Sequence, residues 1–324
     1  MSDLKSISIL TPGKLNPHAK ARVAATFDVI ETADSGPDQI TPEIAARVRG
    51  IASMTSISAG LMQKLPKLEI VANFGVGYDA INAAHAGSAG IMVTNTPDVL
   101  TEEVADTTLG LLLNTVREFS ASERYLRAGR WTGEGNYRLT PLTLRGRTVG
   151  IFGMGRIGKA IATRLEAFGV SIEYHNRRQD KSLAYPYHPT LHALATAVDT
   201  LIVVVPGGEA TRDAVNAEIL RALGPNGVLI NIGRGSTVDE LAVAAALKDC
   251  VIAAAGLDVF KSEPHVPQEL MDAPNCVLLP HVGSASVHTR LAMADLCVDN
   301  LVSWFSGKGA LTPVPETLRH QRKH

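Results

Sequence analysis

Three residues in the last third of the chain have the types needed to move a proton next to a carbonyl group. Arg234 lies between two glycines in "LINIGRGSTVDE", Glu263 stands in "GLDVFKSEP", and His281 stands in "VLLPHVGSAS". An arginine can clamp a carboxylate through two parallel hydrogen bonds and polarise the carbonyl beside it. A histidine can give a proton to a carbonyl oxygen as a hydride arrives at its carbon. A glutamate next to that histidine orients the imidazole and favours its charged form. Taken singly, each is an ordinary loop residue, and most of the 10 histidines must be incidental. What sets these three apart is that each follows a buried, strand-like run.

Such runs recur along the whole chain. The first half offers 6–10, 27–31, 50–54, 68–74 and 90–96. The second offers 148–154, 170–176, 200–206, 227–233, 252–260 and 276–282. Short, continuously apolar runs separated by helix-like segments suit parallel strands buried on both faces. The pattern predicts an α/β fold built twice over. Between the two sets, "LTEEVADTTLGLLLNTVREFSASERYLRAGRW" carries Val104, Leu111, Leu112, Val116 and Phe119 at helical spacing. It reads as one long helix, with Thr101 as N-cap and a stop at Gly129. The segment from Val287 reads as a second long helix ending near Gly307.

The run at 148–154 opens "TVGIFGMGRIGKAIATRLEAFG", where Gly153, Gly155 and Gly158 form G-x-G-x-x-G between a strand and a helix, with a second strand beyond. In that context the first glycine permits a tight turn and the second lets backbone approach a pyrophosphate. The third lets the helix pack on the strand. The helix N-terminus then presents its free N–H groups to the phosphates. At the end of the second strand, where an NAD site keeps an acidic residue for the ribose, stand Asn176, Arg177 and Arg178. No carboxylate repels a 2′-phosphate there, and two guanidinium groups can hold one. The expected cofactor is NADPH/NADP+, with NADH as the weaker alternative.

Composition narrows the remaining classes. With 324 residues the chain has room for two domains with cores of their own. A net charge of -1 gives no footprint for nucleic acid or an anionic membrane. The 3 cysteines are far apart and odd in number, which argues against a disulfide framework or a zinc site; no metal is expected. No run is long enough for a membrane span or a signal-peptide core, so a cytoplasmic location is expected.

The motifs "GMGRIG" (153–158), "NIGRGSTVDE" (231–240), "GLDVFKSEP" (256–264) and "LLPHVGSAS" (278–286) together resemble the D-2-hydroxyacid dehydrogenases, in order and spacing. "VANFGVGYDAIN" (71–82) and "VTNTPDVLTEEVAD" (93–106) extend the likeness over nearly the whole chain. Within the family the chain is most similar to the glyoxylate/hydroxypyruvate reductases, including the plant hydroxyphenylpyruvate reductase type, and "YHNRR" resembles the NADP-using members.

The resemblance implies two Rossmann-like, doubly wound parallel-sheet domains with a cleft between them. Residues 1–99 and 288–324 would form the substrate domain, and 100–287 the NAD(P)-binding domain. It implies that Arg234 binds the substrate carboxylate and carbonyl, that His281 is the acid/base, and that Glu263 supports it. The backbone N–H groups of Val76 and Gly77 would hold the carboxylate. The cofactor would be held by Gly153, Met154, Gly155, Arg156, Ile157 and Gly158, by Asn176, Arg177 and Arg178, and by Pro206 and Thr211. Ile232, Arg234, Asp258, His281 and Gly283 would complete that set.

The reaction implied is NADPH-dependent reduction of glyoxylate and hydroxypyruvate to glycolate and D-glycerate. The implied assembly is a homodimer through the cofactor domains, with the segment at 127–140 and Trp131 crossing to the partner. Glu263 speaks against a formate dehydrogenase, which has Gln there, and Asn176 against NAD-linked lactate or phosphoglycerate enzymes. A 2-ketogluconate-type reductase is the alternative enzyme, since Met54 and Tyr78 could admit a longer substrate. A dinucleotide-sensing scaffold like the C-terminal-binding-protein co-repressors is the alternative of another class.

Overall fold

The structure is a computed structural model that describes residues 4–321. The chain divides into two compact units, Met1–Leu100 with Ser286–His324, and Thr101–Ala285.

The first unit holds five parallel strands in the order β2-β1-β3-β4-β5: β1 (Ser8–Pro12), β2 (Asp28–Thr32), β3 (Val48–Ser53), β4 (Ile70–Asn73) and β5 (Met92–Thr94). β3 and β4 are almost wholly buried and, apart from Arg49, Ser53 and Asn73, carry no polar side chain, as suits strands covered on both faces. The helix Val287–Phe305 returns the chain to this unit, which helical periodicity by itself does not show. It packs beside the helix Pro17–Thr26, where Arg22 bonds Asp295 and Asp299, each at 2.8 Å, and Phe305 meets Phe27 edge-on. The chain then runs antiparallel past β5, with Val314 N–H donating to the Val93 carbonyl at 2.9 Å. That covers an edge which would otherwise present unpaired backbone groups.

The second unit holds seven parallel strands in the order β12-β11-β10-β9-β6-β7-β8. They are β6 (Thr148–Phe152), β7 (Ser171–His175), β8 (Tyr187–His188), β9 (Thr200–Val203), β10 (Val228–Asn231), β11 (Ala254–Leu257) and β12 (Cys276–Leu278). The order reverses between β6 and β9, because β7 and β8 lie on one side of β6 and β9 to β12 on the other. At such a switch point the loops leaving adjacent strands diverge and open a crevice. The fold is therefore the doubly wound α/β architecture that the strand pattern predicts.

One expected element differs. The long helix is broken: Thr101–Arg117 and Phe119–Arg127 are separate helices. Glu118 between them has φ 54, in the left-handed region, and helical bonding cannot pass through it. Side chains hold the break in place: Asn114 accepts from Ser120 N–H at 2.9 Å, and the Glu118 carboxylate takes Tyr137 and Arg138, each at 2.7 Å. The first helix also begins at Thr101 itself, one residue before the expected start.

Candidate active site

Every site residue expected in the second unit lies in the connection that leaves the carboxyl end of a parallel strand, with Arg156, Ile157 and Gly158 in the first turn of the helix that follows β6. The glycine-rich turn follows β6, Asn176 to Arg178 follow β7, and Pro206 and Thr211 follow β9. Ile232 and Arg234 follow β10, Asp258 and Glu263 follow β11, and His281 and Gly283 follow β12. This is the edge at which doubly wound sheets bind ligands.

The turn after β6 has the geometry of a phosphate cradle. Gly153 has φ +109, and a Cβ there would stand 2.9 Å from the Val204 backbone. A Cβ on Gly158 would stand 2.3 Å from the Gly153 carbonyl oxygen, so the helix Arg156–Glu166 meets the turn only through glycine. Gly155 is the opposite case: beyond its own chain neighbours, nothing lies within 4 Å of where its Cβ would be. Gly155 caps that helix without a side-chain hydrogen bond, the arrangement in which a helix N-terminus can receive an anionic ligand. An open glycine before an uncapped 11-residue helix fits the pyrophosphate of a dinucleotide. Thr211 Oγ1 donates to the Pro206 carbonyl at 2.7 Å and closes the loop after β9.

Asn176 does something the sequence reading did not anticipate. Its Oδ1 accepts from Met154 N–H at 2.7 Å, tying the glycine-rich turn to the end of β7. Arg177 and Arg178 beyond it are exposed, and among the described residues neither makes an ion pair. Nearby Asp180 is already engaged: Lys159 at 2.8 Å, with Ser182, holds its carboxyl at about 2.

The candidate acid–base group is built from two loops. His281 Nδ1 lies 2.8 Å from Glu263 Oε2, and Glu263 Oε1 accepts from Phe260 N–H at 3.0 Å. Burial, the largest single influence, pushes the Glu263 carboxyl up. The bonds from His281 and Phe260, with the Arg234 charge, outweigh it and hold the group below its ordinary value. His281 has φ 53, in the left-handed region, a conformation costing on the order of 1–3 kcal/mol for a residue with a Cβ. Asp258, 1% exposed, secures that turn: its oxygens accept Val282 N–H at 2.7 Å and Gly283 N–H at 2.9 Å. Burial nevertheless raises the Asp258 carboxyl above its usual range. Arg234 is half-buried, with Nη1 donating to the Gly233 carbonyl at 2.8 Å, and Asn231 Nδ2 holds the Arg234 carbonyl at 3.0 Å.

Glu240 belongs to the site's support although no motif marks it for that role. It is 7% exposed and accepts Lys261 N–H at 2.6 Å, while Lys261 pairs with Asp213. The loop that carries Glu263 is thus pinned on both sides of Ser262. Glu240 is the tenth residue of the motif 231–240 and the first of the helix Glu240–Lys248, and a single buried acid at a helix start gives no periodic signal.

The remaining expected residues lie elsewhere. Val76 and Gly77 are in the first unit, in the half-buried loop after β4. Trp131 is 57% exposed, with Nε1 donating to Asn136 at 3.0 Å. Among the described residues no cluster of His, Cys, Asp or Glu could hold a metal, and no helix is long and apolar enough to cross a membrane.

Comparison with known proteins decides the family. The family model for the D-isomer specific 2-hydroxyacid dehydrogenase NAD binding domain matches residues 109–283, more than half of the chain. The chain belongs to the D-isomer specific 2-hydroxyacid dehydrogenase family. As a member it is 44% identical to glyoxylate/hydroxypyruvate reductase A HPR2 of Arabidopsis thaliana, over 96% of this chain and 100% of that one. It is 38% identical to 2-ketogluconate reductase of Gluconobacter oxydans, over 94% and 98%. Among solved structures of the family, it resembles an NADPH-dependent glyoxylate/hydroxypyruvate reductase from Sinorhizobium meliloti in complex with NADP and malonate. That likeness has a TM-score of 0.95 and 57% identity, covering 98% of this chain and 99% of the other.

Proposed function

We propose that this dehydrogenase reduces small 2-keto acids, with glyoxylate and hydroxypyruvate first among them, to the D-2-hydroxy acids at the expense of NADPH. The observation that carries the reading is the His281–Glu263 contact of 2.8 Å in the unit that bears the glycine-rich turn. A reductase of this kind needs a proton donor, and this contact builds one. Bound reduced nicotinamide would supply the hydride.

The residues divide the rest of the work. Arg234 and the backbone N–H groups of Val76 and Gly77 take the substrate carboxylate. With Nδ1–H directed at Glu263, His281 holds its second proton on Nε2 and delivers it to the keto oxygen. The Glu263 carboxylate stabilises the imidazolium before transfer and keeps the neutral ring in the Nδ1–H tautomer afterwards. Unit Thr101–Ala285 is the cofactor domain, and the other unit receives the substrate. Arg177 and Arg178 select NADPH, while Asn176 holds the turn.

The assembly proposed is a homodimer. Its support is an exposed apolar group within 119–139: Phe119, Leu126, Trp131 and Leu139 are 49%, 54%, 57% and 94% exposed. Patches of this kind on one protomer mark association surfaces. Three cysteines without a disulfide support a cytoplasmic location.

The test is one assay of absorbance loss with NADPH and with NADH, each offered hydroxypyruvate, glyoxylate, pyruvate and 2-ketogluconate. Fast turnover of the two small acids with NADPH is the expected result. Preference for 2-ketogluconate would move the enzyme to the longer-substrate class. Dinucleotide binding without turnover of any acid would overturn the enzymatic reading in favour of a scaffold.

A further inference from the structure

The loop Gly75–Tyr78 in the first unit is held from behind by two asparagine side chains. Asn73 Nδ2 donates to the Gly75 carbonyl at 3.0 Å and to the Gly77 carbonyl at 2.9 Å. Asn95 Nδ2 donates to the Val76 carbonyl between them, at 2.8 Å. Thr96 N–H adds a second bond to the Gly75 carbonyl at 2.9 Å. Three consecutive carbonyls are therefore fixed toward two amides from different strand ends.

That has a strict consequence for the other side of each peptide. In a trans peptide the carbonyl of one residue and the N–H of the next point in opposite directions. None of these bonds is cis. Pinning the carbonyls of Gly75, Val76 and Gly77 thus turns the N–H groups of Val76, Gly77 and Tyr78 away from the asparagines. Among the described residues the Val76 and Gly77 N–H groups donate to no protein acceptor. Adjacent backbone N–H groups left without a protein acceptor can bind an anion.

We infer that Asn73 and Asn95 are positioning residues that set the carboxylate-binding nest of this enzyme. The inference rests on the proposed reading that Val76 and Gly77 receive the substrate carboxylate. The chemistry of the side chains is specific. Asn73 is 7% exposed and uses both N–H bonds of its amide, one per carbonyl; an aspartate of the same shape has no donor, and a serine has one. Because its partners are carbonyls, only the nitrogen can face them. Asn95 is itself anchored through its backbone, donating to the Thr312 carbonyl at 3.3 Å and accepting from Thr312 Oγ1 at 2.6 Å. Deleting its side chain would leave that anchor intact.

The test uses full-length enzyme with Asn73→Asp or Asn95→Ala. Measured are KM and kcat for hydroxypyruvate, the inhibition constant of oxalate as a carboxylate that cannot be reduced, and the Kd of NADPH. Each variant should raise KM and the oxalate constant together by about tenfold to a hundredfold, the range for losing aligned bonds to a charged group. The NADPH Kd should stay within about twofold and kcat at saturation within about threefold, because the lost interaction is uniform carboxylate binding. A merely structural role would shift NADPH binding or kcat as well. Asn95 is only half-buried, so its variant carries the test if Asn73→Asp does not fold. Unchanged KM and oxalate binding in a folded variant would overturn the inference while the wild type still reduces hydroxypyruvate. If the wild type neither reduces hydroxypyruvate nor binds oxalate, the proposed function falls first, and this inference with it.

Discussion

Replacing Arg177 and Arg178 together by alanine should change the cofactor the enzyme uses. Both side chains are exposed and carry no ion pair among the described residues, while the neighbouring Asp180 is committed to Lys159 and Ser182. Binding a phosphate therefore breaks no existing contact. A unit charge about 4 Å from another contributes about 1 kcal/mol in bulk water and about 4 kcal/mol at the intermediate dielectric of a protein surface. Measured hydrogen bonds to charged groups fall within that span, at about 1.5–3 kcal/mol. Exposure places these arginines at the lower end, about 1.5 kcal/mol each, or roughly tenfold in affinity. Two acting independently give a loss of about a hundredfold in kcat/KM for NADPH. NADH lacks the 2′-phosphate, so its kcat/KM should move by less than about threefold.

The assay is initial velocity with each cofactor at fixed hydroxypyruvate, repeated at low and high salt. Salt should shrink the wild-type preference and leave the double variant nearly indifferent. Equal loss with both cofactors would refute the reasoning, because it would place the arginines in general binding of the dinucleotide. No loss with either would show that they never reach the ribose. Asn176→Asp is the companion change: an aspartate oxygen can still accept Met154 N–H and keep the turn, while its charge repels the phosphate. It should lower the preference for NADPH without loss of stability.

His281→Ala should lower kcat by about 10²–10⁴-fold while the NADPH Kd, read by fluorescence, stays near wild type. Glu263 is held below its ordinary 4.5, so the stability it contributes is complete above that pH and is lost as pH falls through the depressed folded-state value. In Glu263→Gln the fall of Tm from about pH 5 downward should be shallower than in the wild type, as measured by calorimetry across that window. Two glycines of one motif should fail differently. Gly158→Ala forces a Cβ to 2.3 Å from a backbone oxygen and should cost about 1–3 kcal/mol of stability. Gly155→Ala meets open space, so Tm should hold while NADPH binding weakens as the methyl group intrudes on the pyrophosphate.

Every strand-like run named from the sequence overlaps a strand of the structure, because strands buried on both faces demand continuous apolar residues and most of these runs meet that demand with Val, Ile, Leu and Ala. The short edge strand Tyr187–His188 went unseen, since two half-buried residues make no run. The glycine-rich turn was legible because each glycine answers a steric requirement. The break at Glu118 was not: periodicity records which face is apolar, and the interruption is made by polar side chains at 114, 137 and 138. Asn73 and Asn95 were hidden for a related reason. A polar residue at a strand end is common, and only the folded chain brings two of them onto consecutive carbonyls.

The first unit is closed by the residues that follow the second. The helix Val287–Phe305 and the strand-like passage over β5 come from the far side of Thr101–Ala285. Thermodynamically the separation matters little, since each doubling of a closed loop costs only about 0.6 kcal/mol. In time it matters more. During synthesis the contiguous unit has all its strands once Ala285 is free of the ribosome, and domains generally fold as they emerge. The amino-terminal strands, made earlier, must wait for the helix Val287–Phe305 to pack on Phe27 and for the passage after it to cover β5. The oldest part of each molecule is the last to mature, and a chain cut short near its end would carry a finished nucleotide fold beside an unfinished neighbour.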